Sequence, residues 1–173
     1  MAAPEEKRKF IVEPLSSAHD RAAFSCGQAV LDHYLKTQAR QDVRKQLAAV
    51  YIMTTDGEAI AGFYTLSQYV IRSAEIPEEI RHKLTRHDEV PATLIGRLTR
   101  DRVHSEKGDG ALLVVDALRR CLTASVNVAS WAVIVDAKDD QTAAFYKKFD
   151  FIAFPSRPLK LFLPTVTIQK MFV

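Results

Sequence analysis

The spacing of apolar positions along the chain changes period several times, and each change marks an element. KFIVEPL (9–15) predicts a short strand, and HDRAAF (19–24) a helical turn after it. Across 27–46, Leu31, Leu35, Ala39 and Val43 recur every fourth residue, predicting one helix with a buried stripe. AAVYIMTT (48–55) and EAIAGFYTLSQYVI (58–71) predict the two strands of a hairpin, with Asp56-Gly57 as its turn. The polar stretch 73–90 holds Pro77 and a short helical segment, EEIRHKL. PATLIGRLTR (91–100) predicts a further strand and ALLVVDALRRCL (111–122) a strongly apolar helix. WAVIVDAK (131–138) is the continuous apolar run of a central buried strand. DDQTAAFYKKF (139–149) predicts a helix. FIAFPS and LKLFLPTVTIQKMF predict two terminal strands, with Pro164 at an edge or a bulge.

This order predicts an α/β fold with a mixed sheet. Within it, SEKGDGALLVVDAL (105–118) joins the strand ending at Arg100 to the apolar helix, with Gly108 and Gly110 at G-x-G spacing just before that helix. Such a layout presents backbone N–H groups to an anion at a helix N-terminus. In open α/β sheets, ligands gather outside the carboxyl ends of strands, where such loops lie. Glu106 and Asp109 put two carboxylates into the same loop. A carboxylate ~6 Å from a phosphate charge costs ~3 kcal/mol at an effective dielectric of ~20. Asp109 is also placed to cap the helix, where it would occupy the N–H groups a phosphate needs; the loop is then a capped turn that binds nothing.

Composition narrows the class. The 173 residues, 47% apolar and 26% charged, fit one folded domain spanning 1–173. A net charge of +3 is mild, so binding to nucleic acid requires a local basic patch. Two cysteines, Cys26 and Cys121, make neither a disulfide framework nor a zinc cluster, and a reducing cytoplasm is the expected compartment. Cys26, in an apolar local context, reads as a buried structural thiol. MAAPEEKRKF lacks the apolar segment of a signal peptide, and no apolar run approaches membrane-spanning length. His82 and His87 lack metal-ligand company, so no metal is expected. Walker A and G-x-S-x-G are absent, which argues against an NTPase and a serine hydrolase.

FSCGQAVLDHYL, GFYTLS, LIGRLTRD, KGDGALLVVDALRR, VIVDAKDDQTAAFYKKFDF and LFLPTVTI, in that order and spacing, resemble the GNAT acetyltransferases. More narrowly, the chain resembles the acetyltransferase toxins of bacterial toxin–antitoxin operons. The resemblance implies a single-domain GNAT fold, a mixed central sheet flanked by helices on both faces. It implies acetyl-CoA as co-substrate, held by the strand before the loop (Leu98, Thr99, Arg100) and by a loop of pattern R/Q-x-x-G-x-G/A. That pattern falls on Ser105, Glu106, Lys107, Gly108, Asp109 and Gly110. The glycines match. Ser105 stands in place of Arg or Gln, Glu106 in place of the usual Gly, Asp109 in place of an apolar residue, and Asp150 makes FDF of the usual FGF.

Tyr146 matches the family's general acid; a phenol of pKa near ~10 protonates a thiolate of pKa ~8.5 as it departs. The strand 91–100 carries no carboxylate to act as base. An α-amine of pKa ~7.7–8.0 is partly neutral without one, whereas lysine at ~10.4 is not. That difference leans toward an aminoacyl-tRNA acceptor. Lys36, Arg40 and Arg44, at i, i+4 and i+8 and joined by Lys45, form a basic stripe suited to phosphate backbones, or a solvated helix face. Arg97, on the central strand, needs a partner or an open cleft and is a candidate substrate-side contact. The expected function is therefore acetylation of aminoacyl-tRNA, which blocks translation. The implied partner is a ribbon-helix-helix antitoxin from a neighbouring gene, and a homodimer is left open. Two alternatives stand: an acetyltransferase of a small amine or protein N-terminus, and a non-catalytic module whose cofactor loop has decayed.

Overall fold

The computed structural model describes residues 9–84 and 87–173. In chain order its elements are β1 (Ile11–Pro14), α1 (Ala29–Thr37), α2 (Ala39–Arg44), β2 (Ala49–Thr54), β3 (Ile60–Arg72), α3 (Glu78–Arg81), β4 (Glu89–Arg100), α4 (Asp109–Ser125), β5 (Ala132–Asp136), α5 (Asp140–Lys147), β6 (Ile152–Phe154), β7 (Arg157–Pro164) and α6 (Thr165–Met171). The strands form one sheet in the order β1-β2-β3-β4-β5-β7-β6. It is mixed. β4 and β5 run parallel from the Ala92–Ala132 pair to Ile95–Val135, while β1–β2, β5–β7 and β6–β7 are antiparallel.

The chain forms two compact units, and β3, β4 and α4 each contribute residues to both. The first, Met1–Thr65 with Arg97–Val114, has a core of Phe24, Tyr34, Leu35, Ala39, Val50, Ile52, Ile60 and Phe63. Phe24 and Tyr34 both pack against the Phe63 ring, one edge-on and one stacked. The second, Leu66–Gly96 with Val115–Val173, is built around Ile71, Val90, Ala92, Ala132, Ile134, Phe154 and Phe162. Ala132, Val133, Ile134 and Val135 of β5 are all buried, as expected for an apolar strand covered on both faces.

Four local expectations are corrected. HDRAAF is not helical: the Asp20 carboxylate accepts the Ala23 N–H at 3.2 Å and makes a side-chain-closed turn there. The helix expected over 27–46 is two helices, broken at Gln38, whose backbone opens to φ −114°. Leu35 and Ala39 stay fully buried, but past the break Val43 is 36% exposed, so it leaves the predicted stripe. The β2–β3 turn spans 55–59, because Asp56 Oδ1 accepts the N–H groups of Glu58 and Ala59, while Gly57 takes φ +84°. TVTIQKM is a helix, not strand. Pro164 is the last residue of β7, paired with Ala132 of β5 but past the end of the β6 pairing at Phe162, and it is the residue from which α6 starts.

Gly62 is required by packing. A Cβ there would stand 2.8 Å from Leu113 Cδ1 and 2.9 Å from the Thr99 carbonyl oxygen. Leu113 can rotate, but the backbone oxygen cannot retreat without shifting β4. Gly62→Ala is therefore expected to destabilise the protein by about 1–3 kcal/mol, read as a lower urea midpoint with unchanged slope.

Candidate active site

The end of β4 passes into a tight turn that one carboxylate organises. Asp101 is buried, and its oxygens accept the N–H groups of Ser25 at 2.7 Å and of Val103 and His104 at 2.8 Å. Burial pushes its pKa up, but the three amides outweigh that and hold the carboxyl below its ordinary range. The Ser105 hydroxyl donates to the Asp101 carbonyl, and an Arg100 N–H donates to the Glu106 carbonyl at 2.7 Å. Both bonds brace the loop that follows. Gly108 then takes φ +99° with no atom within 4 Å of where a Cβ would stand, and α4 begins at Asp109. The loop borders an open cleft of about 660 Å³, lined by Cys26, Thr99, Arg100, Arg102, Ser105 and Lys107 together with Asp101.

Asp109 does not take the role that its position allowed. Its side chain is buried and turned backward, accepting the Glu106 N–H at 2.7 Å while the Asp109 N–H donates to the Glu106 carbonyl at 3.1 Å. This reciprocal pair closes the loop three residues upstream, as in a capping box. The carboxylate is thus used inside the loop.

Tyr146 lies in the second unit, on α5, whose N-terminus is capped by Asp139 accepting the Thr142 N–H at 2.7 Å. The Tyr146 ring meets Phe145 and Phe151 edge-on at 5.3 and 5.4 Å. Burial pushes its phenol up to about 12, so the hydroxyl keeps its proton at neutral pH. It makes no hydrogen bond among the described residues.

The basic positions separate into two kinds. Lys36, Arg40, Arg44 and Lys45 are exposed, though the Gln38 break divides them between α1, α2 and the residue after it. Arg40 and Arg44 line a groove of about 260 Å³ with Leu15, Ser16, Ser17 and Val43. Arg97 has a partner: its guanidinium lies 3.5 Å over the Tyr34 ring, and the Tyr34 hydroxyl donates to Asp42 at 2.9 Å. Burial and then the Asp42 bond push the Tyr34 phenol up to about 12, so the ring stays neutral beneath the cation. Among the described residues no group of three or more His, Cys, Asp or Glu is placed to hold a metal ion.

No family model matches the chain. It is 33% identical over 172 residues to the probable toxin TacT of Sinorhizobium fredii, covering 94% of this chain and 95% of that protein. It is 34% identical over 149 residues to a tRNA-acetylating toxin of Mycobacterium tuberculosis, covering 86% and 88%. This chain belongs to the tRNA-acetylating toxins. Among solved structures of the GNAT-fold toxins, AtaT complexed with acetyl-methionyl-tRNAfMet superimposes with a TM-score of 0.87 at 28% identity, covering 95% of this chain and 100% of that one. An AtaT mutant bound to acetyl-CoA and the C-terminus of the antitoxin AtaR gives 0.79 at 26% identity, over 95% and 98%.

Within these tRNA-acetylating toxins, this chain's irregular loop is internally satisfied. Sequence reasoning missed Asp101 and Arg102, which stand in LTRDR just after the strand; the alternation of charge there was the available signal. Cys26 is also corrected. It is half-buried and lines the cleft, with its thiol pushed up chiefly by burial, and so stays protonated. The structure also gives Asp109 a bond that the count of charges did not contain. As a charge facing an anion, it would be improved by an apolar residue. Since it satisfies the Glu106 N–H, Asp109→Leu is instead expected to cost about 1–2 kcal/mol of stability and to speed amide exchange at Glu106, measured by hydrogen–deuterium exchange.

Proposed function

We propose that this toxin transfers acetyl from acetyl-CoA to the α-amine of an aminoacyl-tRNA and so blocks translation. The observation that carries the reading is the loop after β4, where Gly108 faces open space beside Arg100 and Lys107 at the start of α4. The start of a long helix with Arg100 and Lys107 beside the loop that leads into it suits a pyrophosphate. Ser105, Glu106, Lys107, Gly108, Asp109 and Gly110 hold that pyrophosphate, and Leu98, Thr99 and Arg100 hold the arm leading to the thioester. Acetyl-CoA supplies the activated acetyl group. The relatives known as tRNA-acetylating toxins, and AtaT with an acetylated tRNA, support the same chemistry here.

Tyr146 is the proton donor to the departing thiolate. Its phenol, at about 12, is a weak acid toward a thiolate in water. The exclusion of water that raises the phenol also disfavours a bare thiolate, so proton affinity rises on both sides of the transfer. The α-amine, partly neutral near pH 8, needs no carboxylate base. Lys36, Arg40, Arg44 and Lys45 follow the tRNA backbone, and Arg97 offers the edge of its stacked guanidinium to the acceptor end. An antitoxin restrains the toxin, as AtaR is bound to AtaT. In this reading that antitoxin is a ribbon-helix-helix protein from a neighbouring gene, the toxin acts as a homodimer, and both work in the cytoplasm. No described helix is long and apolar enough to cross a membrane.

Tyr146→Phe is expected to lower turnover by about 10²-fold or more with acetyl-CoA affinity nearly intact, read by steady-state kinetics beside calorimetry. The wild-type rate should climb as the α-amine deprotonates and show no decline through pH 10, because Tyr146 loses its proton only near about 12. Near-normal turnover in the variant removes Tyr146 from the mechanism. Changing Lys36, Arg40 and Arg44 together to Ala is expected to weaken tRNA binding and flatten its dependence on salt, with folding unaffected. An unchanged salt slope returns these residues to a solvated face. If acetyl-CoA does not bind at all, the non-catalytic module is the correct reading.

A further inference from the structure

The family's loop pattern begins with Arg or Gln, and here that position is Ser105, whose hydroxyl is turned inward to the Asp101 carbonyl. A loop that lost its leading cation still needs positive charge if it is to hold an anion. Arg102 lies outside the pattern but lines the same cleft as Lys107 and Ser105. Its backbone N–H donates to the Ser25 carbonyl at 2.8 Å, and a guanidinium N–H donates to the Ser25 hydroxyl at 3.1 Å. Its side chain crosses Gly27, where a Cβ would stand 3.3 Å from Arg102 Cδ. The guanidinium is thus anchored through one of its five N–H donors, and the others remain available to a ligand.

The charge balance of the cleft points the same way. Asp101, the one carboxylate among its lining residues, is buried and saturated by three backbone N–H groups. Neither Arg102 nor Lys107 forms an ion pair among the described residues. A cation fixed in direction, unpaired and beside open volume is arranged for an anion, and an arginine fork suits phosphate oxygens.

We propose that Arg102 is the cofactor-binding residue that stands in for the missing first residue of the loop pattern, taking a phosphate group of acetyl-CoA from outside the motif. The inference rests on the acetyl-CoA reading of this cleft. Arg102 then selects for the phosphorylated part of the cofactor and has no part in the chemistry at the thioester.

Wild type, Arg102→Ala, and Arg102→Ala with Ser105→Arg are titrated with acetyl-CoA at low and moderate salt. Each is also assayed with acetyl-pantetheine, which carries the thioester but no pyrophosphate. Arg102→Ala is expected to weaken acetyl-CoA binding about tenfold or more and to flatten its salt dependence. The KM for acetyl-pantetheine should not move, and the added Ser105→Arg should restore most of the lost affinity. Equal acetyl-CoA affinity in wild type and Arg102→Ala overturns the proposal. So does a parallel rise in the acetyl-pantetheine KM, which would show that Arg102 only shapes the cleft. If wild type fails to bind acetyl-CoA, the cofactor reading itself falls and the proposal with it.

Discussion

The Asp101 carboxylate accepts three backbone N–H groups from two stretches of chain, Ser25 on one and Val103 and His104 on the other. Each bond is short and charge-assisted. Without the carboxylate, three backbone donors at this half-buried turn would lose their acceptor. Everything that borders the cleft depends on this knot. It fixes where β4 ends, turns Ser105 toward the Asp101 carbonyl, and ties the segment before α1 to the start of the loop that leads into α4. The carboxylate keeps its charge, but its oxygens are taken up by the three amides and no ion pair ties it to Arg102 or Lys107 among the described residues.

Regular elements were legible in the sequence wherever one period ran long enough. β5 carries the consecutive β-branched residues Val133, Ile134 and Val135, and the α4 residues Leu113, Val114, Ala117, Leu118 and Cys121 repeat at helical spacing, all of them buried. What escaped were places where a single side chain or ring overrides the period. Thr165 to Ile168 alternate as a strand would, but Pro164 fixes the backbone that starts a helix. Leu31 to Val43 keep a helical period, but the backbone at Gln38 opens and the last member turns outward. Neither override changes the hydrophobic pattern, so no reading of periodicity contains it.

The candidate site shows the same limit in charges. Residue identity placed Glu106 and Asp109 in an anion loop, and Coulomb's law then counted both as opposing a phosphate. The sign of that effect depends on where a carboxylate points, which sequence does not record. Asp109 points into the loop and closes it. Arg97 reverses in the other direction: an arginine on a central strand looks unmatched until the Tyr34 ring is found 3.5 Å beneath it. The partner of Asp109 lies three residues upstream in the same loop, whereas that of Arg97 stands far away in the chain, on α1.

Gly27 bears a final consequence. It holds φ +86°, a conformation that side chains rarely adopt, and its missing Cβ leaves the path that Arg102 follows. These two positions stand 75 residues apart in the chain, yet they share one small volume. The left-handed backbone alone disfavours a side chain at position 27, and the space this leaves is the space that Arg102 uses.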